Sequence, residues 1–584
     1  MRQFILLTLA FLLLSNISAY VREYNEENFL DSSSESSEEE DLPRVDEKEL
    51  GYRYLNVCLN DETGKLFTSS QEGDCPKRVA IGKYWNGVNQ TGWGVLEIET
   101  FGPYEPALQA YAAGVAEGVL TKLQIYYHFR NTVEGLCTNQ TAYCEKLYRY
   151  LTKNLDWIKA TVKTKPADDI YWRQVNMSFA QLTGMWHGYN NKRSFTPETA
   201  YALTPIYMIQ LSGELIDLSK ALNRTFDAAV DDPEPSKCSG FVKVTEGNKD
   251  LMFSHVSMSG YNTMNRILKL YKFGYDHEHV PGHTLSFSGY AGALASGDDF
   301  VISSAGLTST ETTFSIFHEE LYSDKYVKPD GQLHCWIRSI ISSQLSKTAS
   351  EWVKTFSRYN SGTYNNQWTV VDYKLFKPGK ELPNTDLVWI LEQVPGKTAS
   401  RDMTWFVRKY GYWPSYNIPY LDTISKLSGF DQKGVENNWW RWGFSPRARI
   451  FHRDQNKVTD LDSLRKLMRY NDYTNEPFSR CNCNPPYSAE SSIATRGDLN
   501  PVNGTYEVPG MGHRNHGSLD FKGTNYELVK QLRLQAQGGP TFDPLPPFSW
   551  KTTNIVAPHY GQPTLWKFNP LITEWETPVK SDLE

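Results

Sequence analysis

The junction at Cys238 constrains the fold of this 584-residue chain more than any other feature. Asp231-Asp232-Pro233-Glu234-Pro235-Ser236-Lys237 is acidic and twice broken by proline, and it runs directly into Cys238-Ser239-Gly240-Phe241-Val242-Lys243-Val244. Two prolines remove backbone donors and the charges prefer water, so the first segment reads as exposed loop, whereas the alternation from Phe241 reads as half-buried strand. A thiol thus stands where loop becomes strand. A cut before Cys238 would put a thiol and an α-amino group on one residue. The thiolate is the reactive form of a group with pKa about 8.5, and an amine titrating near roughly 7.7 to 8.0 can take its proton. The competing interpretation is a structural cysteine, buried or bridged.

On either side of this junction the hydrophobic period changes. From Gly51 to Gly102 short apolar runs alternate with turn residues, as in Gly92-Trp93-Gly94-Val95-Leu96-Glu97-Ile98-Glu99-Thr100, which suits strands. Leu108, Tyr111, Ala112, Val115, Val119, Leu123 and Tyr126 then fall near helical intervals within Pro106 to Lys163, and a second helical stretch is expected over Tyr201 to Leu222. Beyond Cys238, Phe241 to Val244 and Leu251 to His255 form a hairpin about Glu246-Gly247-Asn248. Further strands are expected near Thr284 to Phe287, Phe300 to Ser304, Thr313 to Phe317, Trp368 to Asp372 and Leu387 to Val394. The chain therefore reads as α+β, with helices dominating its first third and β layers formed mainly after Cys238, helices covering their outer faces.

The N-terminus points to a secretory route. Arg2, the apolar run Phe4 to Leu14 and Ile17-Ser18-Ala19 make residues 1–19 a signal peptide. That run is too short to span a bilayer, and no later segment reaches the roughly 20 apolar residues a membrane helix needs. Asn-x-Ser/Thr acceptors follow at Asn89, Asn139, Asn176, Asn223 and Asn503. Of eight cysteines, Cys137 and Cys144 are the most natural pair, Cys58 with Cys75 is a second, and Cys481 with Cys483 would close a tight loop. Cys238 and Cys335 remain.

Residues 20–50 hold twelve acidic against three basic side chains, more than the whole formal charge of −7, and read as a disordered linker. The body is accordingly near neutral, without the clustered basic surface of a nucleic-acid channel. It divides at the junction into a fragment over 51–237, helical with strands, and one over 238–584 carrying most of the β layers. Aromatics reach 14%, with 17 tryptophans, and clusters such as Trp439-Trp440-Arg441-Trp442 suit β layers or a binding cleft. There is no Gly-x-Ser-x-Gly elbow; His318-Glu319-Glu320-Leu321-Tyr322 lacks the second histidine of a zinc motif, and Gly396-Lys397-Thr398 lacks the rest of a phosphate loop. Arg496-Gly497-Asp498 is a three-residue match of the kind chance supplies.

Several segments together resemble the phospholipase B-like family of secreted and lysosomal glycoproteins. They are Lys237-Cys238-Ser239, His255 with Ser259-Gly260-Tyr261-Asn262-Thr263-Met264, Ser303-Ser304-Ala305-Gly306-Leu307 with Glu311-Thr312-Thr313, Pro414-Ser415-Tyr416-Asn417-Ile418-Pro419-Tyr420, Pro446-Arg447-Ala448-Arg449-Ile450-Phe451, Leu467-Met468-Arg469-Tyr470-Asn471-Asp472 and Arg496-Gly497-Asp498-Leu499-Asn500-Pro501. The resemblance implies a four-layer αββα sandwich of the N-terminal-nucleophile hydrolase type, autocatalytic cleavage between Lys237 and Cys238, and two fragments that stay associated. It implies Cys238 as nucleophile, His255 as active-site histidine, Asn417 as oxyanion donor, Arg447 as an electrostatic partner of the thiolate or amine, and Thr312 in the substrate pocket. No cofactor or metal is needed by such chemistry.

The implied substrate is a glycerophospholipid acyl ester, and the implied location the lysosomal lumen or the extracellular space. An amidase acting on an N-acyl or peptide bond fits the same nucleophile. A processed glycoprotein that binds lipid or glycan without turnover is the alternative from a different class.

Overall fold

The computed structural model describes residues 51–190, 194–225, 238–297 and 299–583. The expected signal peptide, the acidic segment 20–50 and Lys237 of the expected cleavage site lie outside the described residues.

Two sheets organise the chain. The larger has twelve strands, ordered from Lys397–Asp402 at one edge through Val388–Val394, Asn366–Asp372, Leu307–Thr313, Phe300–Ser303, Thr284–Tyr290 and Arg266–Lys272, then Trp93–Thr100, Arg78–Gly87, Arg53–Asn60, Lys65–Ser69 and Ser194–Phe195. Its middle is a parallel pairing of Trp93–Thr100 with Arg266–Lys272, from Gly94 opposite Ile267 to Glu99 opposite Lys272. A parallel pair needs a long crossover, and the helices between residues 100 and 266 supply it. The smaller sheet runs Tyr412–Ser415, Cys238–Val244, Leu251–Ser259, Asp520–Asn525, Gln535–Gly538 and Leu571–Ile572, with Gly517–Ser518 also paired to Leu251–Ser259.

The sheets meet where Gly240, which has no Cβ, lies against Ser415, Thr310 and Thr312. Cys238–Val244 is buried along its whole length, Ser239 and Lys243 included, and not half-buried as its alternation suggests, because the larger sheet covers one face and further chain the other. Helix Pro106–Leu120 covers the N-terminal strands of the larger sheet and Ile170–Tyr189 packs against that helix, Cys335–Leu345 and Ala349–Phe356 lie by the sheet's other half, and Leu461–Met468 packs on the smaller sheet. The first two helices approach to backbone contact. A Cβ on Gly114 would fall 1.9 Å from the Gln181 carbonyl oxygen, and one on Gly184 2.0 Å from that of Tyr111. Only glycine fits there, and Gly118 and Gly188 repeat the contact one turn on.

Helix Pro106–Leu120 also carries Glu117, fully buried, whose Oε1 is 2.7 Å from Lys269 Nζ on the larger sheet. This ion pair, and the parallel strand pairing, join residues before Cys238 to residues after it.

The expected helix over Tyr201 to Leu222 is two helices, Pro205–Gln210 and Glu214–Ala221, broken at Leu211 to Gly213. At the break a Cβ on Gly213 would strike the Tyr364 ring at 2.5 Å, so the chain turns where tertiary packing demands it. The strand expected at Thr313 to Phe317 ends at Thr313 and begins six residues earlier, at Leu307. Its threonine-rich sequence hides a strand buried on both faces.

Disulfides join Cys58 to Cys75, Cys137 to Cys144 and Cys481 to Cys483, leaving Cys238 and Cys335 as buried thiols. Among the described residues no helix is long and apolar enough to cross a membrane. Asn89, Asn139, Asn223 and Asn503 are exposed. Asn176 departs from the expectation for a glycan acceptor: it is half-buried within Ile170–Tyr189, and its Oδ1 accepts the Tyr201 hydroxyl at 2.8 Å. The Arg496-Gly497-Asp498 tripeptide is no displayed adhesion loop, since Arg496 is buried and pairs with Asp498 at 2.8 Å.

Candidate active site

Cys238 begins the strand that lies beside Tyr412–Ser415 on one flank and Leu251–Ser259 on the other. Register places Cys238 opposite Ser257 and Gly240 opposite His255, so Cys238 and His255 emerge on one face, two residues apart along the strand. The thiol meets the larger sheet at Glu311, its Sγ 3.8 Å from Glu311 Oε1. Glu311 is fully buried and accepts the Tyr364 hydroxyl at 2.9 Å and the Thr313 hydroxyl at 3.1 Å. The same Tyr364 hydroxyl lies 2.8 Å from Asp299 Oδ2. A carboxylate is thus brought to the thiol by the motif Glu311-Thr312-Thr313, in which only Thr312 carries an expected role. A carboxylate in a threonine-rich stretch without basic neighbours was the available signal.

Arg447 lies near the start of helix Pro446–Asp454, capped by the Ser445 hydroxyl at the Ala448 N–H. Its Nη1 donates to the Cys238 carbonyl oxygen at 2.7 Å and to Ser239 Oγ at 3.2 Å, while Nη2 donates to the Tyr416 carbonyl at 2.8 Å. The guanidinium therefore ties the Cys238 backbone to the neighbouring strand's end; these bonds go to main chain and hydroxyl, not to the sulfur. Burial pushes the Arg447 pKa down to about 10, with Glu490 and Cys238 opposing, so the side chain stays charged at neutral and acid pH. Behind it, burial acts to raise Glu490, but Arg514 and His516 hold its carboxyl below the usual range.

His255 is fully buried, and its Nε2 is 2.9 Å from the Glu311 carbonyl oxygen. A carbonyl only accepts, so Nε2 carries a proton and holds the backbone of the carboxylate-bearing strand. Thr312 and Asn417 are joined directly: the Asn417 N–H donates to Thr312 Oγ1 at 3.2 Å, and its side-chain Nδ2 donates to the Thr313 carbonyl. Asn417 adopts φ +66°, a left-handed conformation that asparagine tolerates better than most residues. Its amide keeps a second N–H beyond the one given to Thr313.

Cys238, Arg447, His255, Thr312 and Asn417 thus converge on the junction between the two sheets, Arg447 through the Cys238 carbonyl and His255 through Glu311. Cys335 is elsewhere, near Arg338, Thr363 and Gln393, where burial pushes its thiol well up. Beside Tyr364 and Asp299 lies a small cavity of about 20 Å³, also lined by Gly213, Glu214 and Trp336. A space of this size holds about one water. Among the described residues no group of three metal-ligating side chains occurs.

Comparison with known proteins agrees in extent with this architecture. A family model described as Phospholipase B matches residues 80–573, a span that includes every residue of the junction. The chain is 56% identical over 537 residues to phospholipase B-like 3 of Caenorhabditis elegans, covering 91% of this chain and 92% of that protein. It is 39% identical over 542 residues to phospholipase B-like 2 of Homo sapiens, covering 90% of each. Phospholipase B-like protein B of Dictyostelium discoideum is 34% identical over 527 residues, 88% of each chain. The chain belongs to the phospholipase B family.

Proposed function

We propose that this protein is an acyl hydrolase that cuts its own chain before Cys238 and then turns over ester substrates, glycerophospholipids first, through a cysteine acyl-enzyme. The observation that carries this reading is the placement of the Cys238 thiol at the head of a buried strand, 3.8 Å from the Glu311 carboxylate and with its own carbonyl held by Arg447. In the uncut chain Cys238 has no α-amino group, so another base must take the thiol proton, and Glu311 is placed to do so. The thiolate attacks the Lys237 carbonyl, the Lys237–Cys238 amide bond breaks as its nitrogen gains a proton, and a thioester forms. Water then adds to the thioester, releasing the Lys237 carboxylate and restoring the thiol.

The liberated amine of Cys238 serves as base for substrate. Sγ attacks the acyl carbonyl, the alcohol leaves with the proton, and water frees the fatty acid from the second thioester. The second Asn417 Nδ2–H supplies the oxyanion donor, with Thr312 at the pocket wall. His255 and Arg447 hold the strands in place, Arg447 adding positive charge near developing negative charge.

In this reading the two sheets and their outer helices form an αββα sandwich of the N-terminal-nucleophile type. The fragments 51–237 and 238–584 stay together after the cut because the larger sheet and the Glu117–Lys269 pair span both. Three disulfides and the exposed acceptors Asn89, Asn139, Asn223 and Asn503 favour passage through the secretory route to a lysosome or the exterior. The test is to express the protein, hold it near pH 5 and near pH 7, and read the fragment termini by mass spectrometry. Ester and amide substrates sharing one acyl chain follow. A fragment beginning at Cys238 and ester turnover lost in Cys238→Ala support the proposal; an uncut chain at both pH values defeats it.

A further inference from the structure

A line of hydrogen bonds leads away from Asn417 to a carboxylate with no part in the chemistry above. Asn417 N–H donates to Thr312 Oγ1 at 3.2 Å, and Thr312 Oγ1 is 2.7 Å from Ser415 Oγ. The Ser415 hydroxyl donates to Gln367 Oε1 at 2.6 Å, and Gln367 Nε2 donates to Glu392 Oε1 at 2.6 Å. Glu392 also accepts the Tyr420 N–H on Oε1 at 2.6 Å and the Leu421 N–H on Oε2 at 3.0 Å. Ser415, Gln367 and Glu392 are buried, so none of these bonds can be exchanged for water without cost.

The line has a direction. With the Gln367 amide N–H turned to Glu392, its carbonyl must face Ser415, whose hydroxyl proton is then committed. Ser415 Oγ is left as acceptor for the Thr312 hydroxyl, and Thr312 Oγ1 as acceptor for the Asn417 N–H. Every proton points toward Glu392. Burial pushes the Glu392 carboxyl up to about 7 while its three donors and the nearby charge of Arg401 oppose that shift. A proton taken up in acid fits on Oε2, which carries a single bond, so the direction survives in either state.

We propose that Glu392 and Gln367 are positioning residues that polarise this line and thereby hold Asn417, in its left-handed conformation, with a side-chain N–H presented to the oxyanion. The inference rests on the acyl-hydrolase reading for its kinetic consequence only. Neither residue touches substrate; they act through Ser415 and Thr312.

The test compares two substitutions at one site. Gln367→Met keeps the shape and removes both hydrogen bonds. Gln367→Glu, when protonated, repeats the polarity of the amide, its O–H facing Glu392 and its C=O facing Ser415. Two carboxyls in this contact resist joint ionisation, so the variant holds its proton in acid and loses it as pH rises. With a phosphatidylcholine bearing a labelled acyl chain, Gln367→Met is expected to lose about ten- to a hundredfold in kcat at every pH, KM holding within about twofold. Gln367→Glu should stay near wild type at about pH 5 and decline toward Gln367→Met by about pH 8. A merely structural role would give the two variants parallel pH profiles.

Deuterium uptake of a peptide spanning Tyr416 to Tyr420 supplies a measure that needs no substrate. The proposal expects faster exchange at Asn417 in Gln367→Met than in wild type. Wild-type kcat in Gln367→Met overturns the proposal whatever the exchange shows. If processed wild-type protein hydrolyses nothing, the acyl-hydrolase reading falls, and uptake alone decides the positioning: faster exchange in Gln367→Met upholds it and unchanged exchange overturns it.

Discussion

Arg447 Nη1 lies 2.7 Å from the carbonyl oxygen of Cys238, so the guanidinium grips the main chain of the residue whose sulfur is the proposed nucleophile. The same fork reaches the Tyr416 carbonyl, one residue before Asn417. One side chain therefore bridges the main chain of the proposed nucleophile and that of the residue before the proposed oxyanion donor. Lysine keeps the charge but cannot span both carbonyls, because its single ammonium lacks the planar fork. Arg447→Lys is expected to slow chain cleavage by at least about tenfold, in line with the ~1–3 kcal/mol of a buried carbonyl left without its donor. The time course of the fragment beginning at Cys238, followed by mass spectrometry, checks this; an unchanged rate would show that the grip is dispensable.

Glu311 separates the two stages of the proposed chemistry. The first cut has no α-amine to use, whereas turnover does. Glu311→Gln should leave the chain largely uncut, a loss of about 10² to 10⁴ in rate for a positioned base. If the cut is instead made by a protease site introduced before Cys238, Glu311→Gln should recover most of its ester turnover. Cys238→Ala should fail at both stages, and Cys238→Ser should retain partial cleavage. Equal losses for Glu311→Gln in cut and uncut protein would mean that the carboxylate acts in turnover as well.

Asn417 offers a clean substitution because its φ of +66° is one that glycine adopts without strain. Asn417→Gly should therefore fold, keep the main-chain bond to Thr312, and lose the side-chain amide with both its free N–H and its bond to the Thr313 carbonyl. The expected loss in kcat is about 10² to 10³, the size found where one oxyanion donor is removed. Steady-state kinetics on the processed variant, beside its thermal midpoint, make the measurement. A variant that folds with kcat intact would remove Asn417 from the mechanism.

Much of this arrangement was legible in the sequence, and the parts that were not share a cause. The strand from Cys238, the hairpin to Leu251 and helix Pro106–Leu120 announce themselves by local pattern and by the turn at Glu246-Gly247-Asn248, although both strands prove buried on both faces. Leu307–Thr313 was placed too late because Thr308, Ser309, Thr310 and Thr312 are buried although polar. Thr312 hydrogen-bonds to Ser415 and Asn417 across the junction of the sheets, and hydrophobic pattern cannot see polar residues buried in this way. Ile170–Tyr189 lies between the two helical stretches expected, and its Gly184 and Gly188, unfavourable in an isolated helix, are accounted for only by helix Pro106–Leu120 packed against them. Glu311, Gln367 and Glu392 reach the site only through sheet pairing, Glu311 opposite Trp368, and Gln367 opposite both Thr312 and Glu392. Contacts set by register between distant strands leave no mark in local sequence.

Glu214 ties stability to pH in a direction that suits an acidic compartment. It is almost fully buried, accepts the Trp336 N–H at 3.3 Å, and lines the small cavity beside Tyr364. Burial pushes its pKa up from 4.5 to about 7. Between these values the folded protein holds a proton that the unfolded chain has released, so stability falls as pH rises. The contribution is fully present below about pH 4.5 and lost by the time pH passes the folded value near 7, a difference on the order of 3 kcal/mol. Glu214→Gln keeps an acceptor for Trp336 and cannot ionise, so the variant should show less of this decline. Urea unfolding of both proteins at about pH 5 and pH 7.5 measures it: the variant should gain on the wild type as pH rises, by roughly the same few kcal/mol. Parallel pH dependence in the two proteins would mean that Glu214 is ionised in the fold, its charge supported by the Trp336 N–H and the cavity beside it.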